Sequence, residues 1–238
     1  MKTALVTGAS RGIGLAIATI LAKNGYALHL TCKNSIDKLE IITKELSDSY
    51  KVPCFAYQGD MGDASFAEQL FSKINSLDVL INNAGISYVG LLQDTSIEKW
   101  QEIMNTNLNS VFYTSRLAIP KMLAQKSGCI INISSIWGNA GASMEVAYSA
   151  SKGGVNAFTK ALAKELAPSG ICVNAISCGV IDTDMNKCFS KEDMDMLIDE
   201  IPANRLGTPD EVAHLTYQLI CSPKYLTGQI ITIDGGFL

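Results

Sequence analysis

Seven short runs rich in apolar and β-branched residues alternate along this chain with segments long enough to form helices. The runs are Thr3–Thr7, Ala27–Cys32, Cys54–Gln58, Val79–Ile81, Cys129–Ile133, Cys172–Ile176 and Ile230–Ile233. A strand followed by a helix and then by another strand forms a βαβ unit, and successive units build a parallel sheet with helices on both faces. The alternation therefore predicts a Rossmann-like, doubly wound α/β fold of about seven strands, with right-handed crossovers.

The 238 residues contain no linker rich in proline, glycine or serine, no low-complexity tract and no repeat of fixed period. We therefore predict one domain spanning residues 1–238. Small and apolar residues at helical spacing predict a long helix over Tyr148–Ala167. The least regular stretch is Thr183–Arg205, which carries methionines and acidic residues, and we expect it to form a lid over the substrate pocket.

Composition excludes several classes of partner. A formal net charge of -4 without a basic run argues against nucleic acid. The apolar run at the N-terminus is too short for a secretory signal, and no stretch reaches the roughly 18 apolar residues of a membrane helix, so we expect a cytoplasmic protein. The seven cysteines include no CxxC pair and predict reduced, mostly buried thiols. His29 and His214 lack partners at metal-ligand spacing, so we expect no metal site.

A glycine-rich turn joins the first strand to the first helix. The sequence TGASRGIG at 7–14 permits a tight turn and close approach of backbone amides to a pyrophosphate at the helix start. An acidic residue at the end of the second strand would favour NAD, but that strand ends at Cys32 and Lys33. Arg11 and Lys33 therefore predict binding of the 2′-phosphate of NADP.

A tyrosine and a lysine lie four residues apart at the start of the predicted long helix. Residues at this spacing are neighbours on one helix face, so the Lys152 charge acts on the Tyr148 oxygen. At roughly 5 Å and an effective dielectric constant of about 20, the interaction is about 3 kcal/mol in favour of the phenolate. We therefore expect Lys152 to lower the pKa of Tyr148 towards the range useful for acid–base catalysis.

These motifs occur in the order and spacing of the short-chain dehydrogenase/reductase family, which the chain resembles over essentially its whole length. They are the glycine turn at 7–14, NNAG at 82–85, ISS at 133–135 and YSASK at 148–152. The resemblance implies a seven-stranded Rossmann-like domain, an NADP-dependent oxidoreductase acting on CH–OH and C=O groups, and a homotetramer.

The resemblance also implies roles for individual residues. Tyr148 matches the catalytic acid/base, and Lys152 matches the lysine that lowers its pKa and holds the nicotinamide ribose. Ser135 matches the serine that hydrogen bonds to the substrate carbonyl, at the carboxyl end of a strand, where open α/β sheets bind ligands. Asn107 matches the asparagine that orders a water in the proton relay. Ser134, on the other side of the strand, is expected to be structural.

The NADP(H) site implied by the resemblance includes residues from every part of the chain. Its members are Gly8, Ser10, Arg11, Gly12, Ile13, Gly14, Lys33, Asp60, Met61, Asn83, Ala84, Gly85, Tyr148, Lys152, Ile181 and Thr183. Asp60 and Met61 match the pair beside the adenine, and Ile181 and Thr183 match the contacts to the carboxamide. Cys178 replaces a proline that is usual in the family, which predicts a softer nicotinamide loop. Its thiol is either reactive or a packing group.

Within the family the chain most resembles 3-oxoacyl-[acyl-carrier-protein] reductases, so a 3-oxoacyl thioester is the first substrate to consider. Lys126 matches one basic position that docks the acidic carrier protein in those reductases, whereas Ser169 stands at the second. The alternative substrate is a free ketone, a sugar or a steroid alcohol. A hypothesis of another class is a non-catalytic dinucleotide-binding regulatory protein.

Overall fold

The computed structural model describes the backbone of all 238 residues and the side chains of all but Lys187 and Cys188. Its seven strands form one sheet in the order β3-β2-β1-β4-β5-β6-β7, with every pairing parallel. The strands are β1 (Thr3–Val6), β2 (Ala27–Cys32), β3 (Cys54–Gln58), β4 (Val79–Asn82), β5 (Gly128–Ser135), β6 (Ile171–Cys178) and β7 (Ile230–Ile233). The predicted doubly wound α/β fold is confirmed.

Helices connect the strands and cover both faces of the sheet. They are α1 (Gly12–Lys23), α2 (Ile36–Tyr50), α3 (Ala64–Ser72), α4 (Ile97–Met104), α5 (Ser110–Gln125), α6 (Trp137–Ala140), α7 (Val146–Leu166), α8 (Lys191–Glu200) and α9 (Pro209–Ile220). Short 3₁₀ turns occupy Leu92–Asp94, Ala167–Ser169 and Asp184–Cys188, and a π-helical segment, Asn105–Asn109, joins α4 to α5.

The two faces of the sheet bury different side chains of the same strand. In β1, Ala4 and Val6 join a core cluster with residues of α1, α2 and α9, whereas Leu5 joins a second cluster with residues of α3, α5 and α7. Successive side chains of a strand point to opposite faces, so a strand covered on both sides has to be apolar throughout. This requirement explains the continuous apolar runs seen in the sequence.

Strands β5 and β6 extend further than the sequence predicts. The apolar runs stop at Ile133 and Ile176, but pairing continues to Ser135 opposite Cys178. The added residues are small and buried, and they stay in the ladder because their side chains fit between the covering helices. The extension places Ser135 at the carboxyl edge of the sheet, where it was predicted.

The lid segment is more regular than its sequence suggests. Residues 191–200 form α8, and Ser190 begins it with a capping box in which Ser190 Oγ accepts from the Asp193 amide at 3.1 Å. A capping box satisfies two amides at the start of a helix, and it explains how a polar segment forms a helix here. The expectation of an irregular segment was therefore wrong for α8.

Two further observations limit the kinds of site present. Within the part of the chain whose side chains are described, no cluster of three or more histidine, cysteine or acidic side chains is arranged to hold a metal ion. None of the helices in that part combines the length and the apolar character needed to cross a membrane.

Candidate active site

The crevice for a dinucleotide lies where the order of the strands reverses. Strand β1 pairs with β2 on one side and with β4 on the other, so the loops that leave β1 and β4 diverge at the carboxyl edge. Open α/β sheets bind ligands at such a point. The glycine turn follows β1 and the 83–85 segment follows β4, which brings the two predicted nucleotide-binding segments together.

The glycines of the turn are required by its backbone. Gly8 and Gly12 have positive φ angles of 68° and 54°, a region that other residues rarely adopt. A Cβ on Gly14 would overlap the Gly8 carbonyl oxygen and come within 2.6 Å of Asn83 Nδ2. The start of α1 therefore packs tightly against the turn, and a helix start of this kind suits a pyrophosphate.

Asn83 and Thr7 hold the turn against the end of β4. Asn83 Nδ2 donates to the carbonyl oxygens of Thr7 and Gly8 at 2.9 and 3.0 Å. Thr7 Oγ1 accepts hydrogen bonds from the backbone amides of Asn83 and Ala84 at 3.0 and 2.9 Å. The Asn83 side chain thus fixes the shape of the turn, and the 83–85 backbone is left to border the crevice.

Three other predicted cofactor residues have structural surroundings that limit their contact with a ligand. Ser10 is buried within the glycine turn, and Ile13 packs against the first core cluster. Met61 is buried in the second cluster, on the other face of the sheet. For Met61 the part that remains available to an adenine is the backbone.

Both cations predicted for the 2′-phosphate pair with carboxylates. Lys33 Nζ lies 2.7 Å from Asp60 Oδ2, and Arg11 Nε lies 3.7 Å from Asp184 Oδ2. Burial raises the pKa of Asp60, but hydrogen bonds from Lys33 and from the Gly62 amide lower it below its usual value. All four side chains are more than one third exposed, so each ion pair is weak and open to exchange with an incoming phosphate.

A cavity of about 500 Å³ runs from the glycine turn to the lid segment. Its lining includes Arg11 and Gly12 on one side and Thr183, Met194 and Leu206 on the other. A Cβ on Gly12 would lie 3.3 Å from Thr183 Cγ2, so the predicted carboxamide contact approaches the predicted pyrophosphate contact. The glycine turn, the cations Arg11 and Lys33 and this cavity together fit a nicotinamide dinucleotide.

The predicted catalytic side chains meet at the carboxyl end of β5. Ser135 ends that strand, and its Oγ accepts a hydrogen bond from the Trp137 amide at 3.2 Å. Tyr148 lies in the first turn of α7 with 9% of its surface exposed, and its phenol interacts with the Ser135 hydroxyl. The two hydroxyl groups therefore lie close together, as is required if both are to hydrogen bond to one carbonyl oxygen.

Burial controls the pKa of Tyr148 more strongly than Lys152 does. Burial raises the pKa of the phenol, the Ser135 hydrogen bond opposes this, and the charge of Glu145 adds to the increase. The Lys152 ammonium lies 5.7 Å from the centroid of the phenol ring, but burial lowers its own pKa to about 8. The expected lowering of the tyrosine pKa by Lys152 therefore does not occur in this structure, because spacing on a helix says nothing about burial.

Lys152 is held against β5 and the 83–85 segment. Its Nζ donates to the Ile133 carbonyl oxygen at 2.8 Å, and only 5% of the residue is exposed. A Cβ on Gly85 would lie 3.5 Å from Lys152 Nζ and 3.4 Å from Asn107 Oδ1. Lys152 and Asn107 therefore border the same backbone, which joins the catalytic end of the site to the nucleotide end.

Asn107 lies in the π-helical segment between α4 and α5. Its Oδ1 accepts from the Ile86 amide at 2.8 Å, and its Nδ2 donates to the Ile86 carbonyl oxygen at 2.9 Å and to Ser151 Oγ at 3.0 Å. A π-helical turn inside an α-helix often marks a functional site, because it disturbs the regular pairing of backbone carbonyls. Both Nδ2 protons are used in positioning the side chain, so a water in a proton relay would bind to the second lone pair of Oδ1 or to backbone.

A buried polar network that the sequence did not reveal supports these residues. Ser134 Oγ donates to Asn156 Oδ1 at 2.6 Å, and Asn156 Nδ2 donates to Asn139 Oδ1 at 2.8 Å. Asn139 Nδ2 in turn donates to Ser177 Oγ at 3.0 Å. The network joins β5, α6, β6 and α7 directly behind Ser135, in agreement with the structural role predicted for Ser134. Its only signal in the sequence is the run of small polar residues at the strand ends.

The loop after β6 carries the departure from the family pattern. The Cys178 carbonyl oxygen accepts from the Ile136 amide at 2.9 Å, and Ile181 is buried and forms a β-bridge with Gly207. Burial raises the pKa of the Cys178 thiol to about 12, so the thiol is neutral and unreactive. The structure favours its packing role over the reactive one.

The other cysteines broadly fit the prediction of free, mostly buried thiols. Cys32, Cys129 and Cys172 are buried, Cys54 is half-buried, and Cys221 is exposed. The side chain of Cys188 lies outside the described residues.

Comparison with known proteins agrees with this arrangement. The family model described as short chain dehydrogenase matches residues 2–194. The chain is 40% identical over 238 residues to the uncharacterized oxidoreductase YmfI of Bacillus subtilis strain 168, covering 99% of this chain and 98% of that protein. It is 41% identical over 241 residues to the 3-oxoacyl-[acyl-carrier-protein] reductase FabG of Staphylococcus aureus strain Mu50, covering 99% and 97%.

A solved structure extends the comparison to the fold. YwfH, described as an NADPH-dependent reductase involved in bacilysin biosynthesis, has a TM-score of 0.93 and 28% identity, covering 100% of this chain and 98% of that one. The fold and the site define an oxidoreductase that uses a nicotinamide dinucleotide. More particularly, the chain belongs to the short-chain dehydrogenase/reductase family.

Proposed function

We propose that this protein is an NADPH-dependent reductase that converts a ketone to a secondary alcohol, and that its substrate is a 3-oxoacyl thioester. One observation carries the chemical part of the proposal. The hydroxyls of Ser135 and Tyr148 lie together at the carboxyl edge of the sheet, with Lys152 and Asn107 between them and the dinucleotide crevice. A carbonyl oxygen fits between the two hydroxyls.

The roles of the side chains follow from the charge that develops on that oxygen. NADPH, when bound, supplies a hydride to the carbonyl carbon. Ser135 and Tyr148 donate hydrogen bonds to the carbonyl oxygen, and these bonds strengthen as negative charge develops there. Tyr148 then transfers its proton to the oxygen, which leaves the alcohol. Lys152 and a water at the Asn107 segment return a proton to the phenolate.

The preference for NADPH rests on the charges around the adenosine end of the crevice. Arg11 and Lys33 are the cations placed there by the glycine turn and by the end of β2. Their present partners, Asp184 and Asp60, are exposed enough to give way to a phosphate, which carries more charge than one carboxylate. The YwfH reductase, which shares the fold, is described as NADPH-dependent.

The thioester is favoured by the apolar character of the loops next to α7. The segment after β4 exposes three large apolar side chains, and the loop before α7 and the first residue of α7 expose one each. They are Val89, Leu91, Leu92, Met144 and Val146. The Gly90 amide donates to the Met144 carbonyl oxygen at 2.8 Å, so the two loops form one rim. An exposed apolar rim beside a polar reaction centre suits a ketone that carries an acyl chain.

Docking of an acyl carrier protein depends on the oligomeric state of the enzyme. Lys126 and Ser169 lie just before β5 and β6, at the edge of the sheet opposite Ser135 and about 23 Å from it along β5. Lys224 adds a second cation to this surface, since its Nζ lies 3.4 Å from Ser127 Oγ. A carrier docked there serves the active site of another subunit, so this partner requires the homotetramer that the family resemblance implies.

The experiment that tests the proposal follows nicotinamide absorbance with acetoacetyl-CoA, comparing NADPH with NADH and wild type with Tyr148→Phe. We expect NADPH-preferring turnover that falls by about 10²–10⁴-fold in the variant, the range usual for loss of a general acid. Near-normal turnover of Tyr148→Phe would remove the tyrosine from the mechanism. NADPH binding without turnover of the thioester would redirect the search to free ketones, sugars and steroids. If none of these compounds were turned over either, a regulatory protein would be favoured.

A further inference from the structure

One carboxyl group beside the catalytic tyrosine has no part in the mechanism above. Glu145 stands at the N-cap position of α7, but its side chain makes no capping hydrogen bond. It precedes Tyr148 by three residues and Lys152 by seven, which places the three side chains on one face of the helix start. Glu145 therefore lies about one turn before Tyr148, at the start of the helix.

A tryptophan holds this carboxyl group. Burial raises the pKa of Glu145, and a hydrogen bond from the Trp137 side chain, whose indole N–H can only donate, opposes this rise by favouring the carboxylate. The Trp137 backbone amide donates to Ser135 Oγ at 3.2 Å. The Trp137 ring packs edge-on against Phe237, with centroids 5.7 Å apart. Trp137 therefore contacts both Glu145 and Ser135, and its ring packs against Phe237.

No cation neutralises Glu145 among the side chains that the structure describes, because none of their ion pairs includes it. Its direct neighbours in the chain, Met144 and Val146, are exposed apolar residues. Glu145 itself is only half-buried, and its charge reaches the phenol, where it disfavours the phenolate. Glu145 thus places a negative charge next to the exposed apolar residues Met144 and Val146.

We propose that Glu145 is a specificity-determining residue that excludes ketones carrying a carboxylate near the reacting carbonyl. A second negative charge at this distance is repelled in a partly desolvated site, whereas a neutral ester or thioester of the same acid is accepted. The inference rests on the proposed function and deepens it, since it separates 3-oxoacyl thioesters from free 3-oxo acids. Selection of this kind uses a repulsive group as well as attractive contacts.

The test compares acetoacetate with ethyl acetoacetate, which share a reacting carbonyl and differ in charge. Both are assayed for turnover with NADPH and for binding to the NADPH-loaded enzyme by quenching of nicotinamide fluorescence. The proteins are wild type, Glu145→Gln, Glu145→Asp and the control Glu165→Gln. Glu165 is an exposed carboxylate on the same helix about 30 Å away, so the control changes the same net charge outside the site.

We expect wild type to prefer the ester, and Glu145→Gln to narrow that preference by about tenfold or more in kcat/KM and in affinity. Glu145→Asp and Glu165→Gln should keep the wild-type preference. Activity of each variant on the ester shows that it is folded.

An unchanged preference in Glu145→Gln, or equal affinity of wild type for both ketones, overturns the inference. Preferential binding of the ester without any turnover leaves the inference standing and contradicts the proposed function alone.

Discussion

Replacing Lys152 by methionine should stabilise the protein at neutral pH while it removes catalysis. Burial lowers the pKa of this lysine from 10.5 to about 8. A lysine whose pKa is lower in the folded state binds protons less well after folding, so it destabilises the fold wherever the unfolded chain keeps it protonated. Below pH 8 the full difference applies, which is about 3 kcal/mol at 1.36 kcal/mol for each pKa unit.

Part of that gain is offset in the variant. Methionine fills a similar volume without the charge, but the hydrogen bond from Nζ to the Ile133 carbonyl oxygen at 2.8 Å is lost. A hydrogen bond from a charged donor contributes about 1.5–3 kcal/mol, so the net stabilisation is about 1 kcal/mol. In a chain of this size that corresponds to a rise in Tm of about 2–4 °C.

The assay is urea unfolding of wild type, Lys152→Met and the control Lys164→Met at pH 7 and pH 10. The stability of wild type relative to Lys152→Met should increase between pH 8 and pH 10.5, because the folded protein loses the proton first and the unfolded chain still holds it. Comparison with the variant cancels the titration of the buried tyrosines and cysteines. Lys164 is exposed on the same helix, so its variant controls for loss of a positive charge outside the site. A Lys152→Met protein less stable than wild type at pH 7, with a gap independent of pH, would refute the reasoning.

Two further predictions concern the nucleotide end of the site. Gly14→Ala should weaken binding of both dinucleotides and lower the free energy of unfolding by about 1–3 kcal/mol, since its Cβ would overlap the Gly8 carbonyl oxygen. Binding is measured by titration of nicotinamide fluorescence. The control is Gly153→Ala, whose Cβ would lie 3.5 Å from its nearest atom. Lys33→Asp combined with Arg11→Ala should raise the Kd for NADPH at least about tenfold more than the Kd for NADH. Equal losses for both cofactors, measured by titration at one ionic strength, would contradict the assignment of the 2′-phosphate site.

The sequence predicted those parts of the site whose chemistry depends on local backbone. Gly8 and Gly12 are glycines because their φ angles are positive, and Ser135 is placed by the strand it ends. Such constraints act between residues close in the chain, so residue type and spacing report them.

What the sequence did not predict depends on contacts between distant segments. The spacing of Tyr148 and Lys152 made them neighbours, but the burial that raises the pKa of the tyrosine comes from β5, β6 and the loops around them. The pairing of Lys33 with Asp60 and the contact of Trp137 with Glu145 likewise join separate loops. The pattern of charges along a chain cannot show such partners, because the tertiary structure determines which distant residues come into contact.

The protonation state of Tyr148 affects how the rates of carbonyl reduction and alcohol oxidation depend on pH. A proton donor to a carbonyl has to hold its proton until charge develops on the oxygen. Burial and Glu145 raise the pKa of Tyr148 while the Ser135 hydrogen bond lowers it, and burial lowers the pKa of Lys152, which weakens its opposing charge. The phenol is therefore protonated at neutral pH, as carbonyl reduction requires, whereas alcohol oxidation has to begin from the less favoured phenolate. Because the Glu145 charge raises the pKa of Tyr148, Glu145→Gln should move the pH profile of alcohol oxidation to lower pH, while the rate of reduction of the neutral ester at pH 7 changes little.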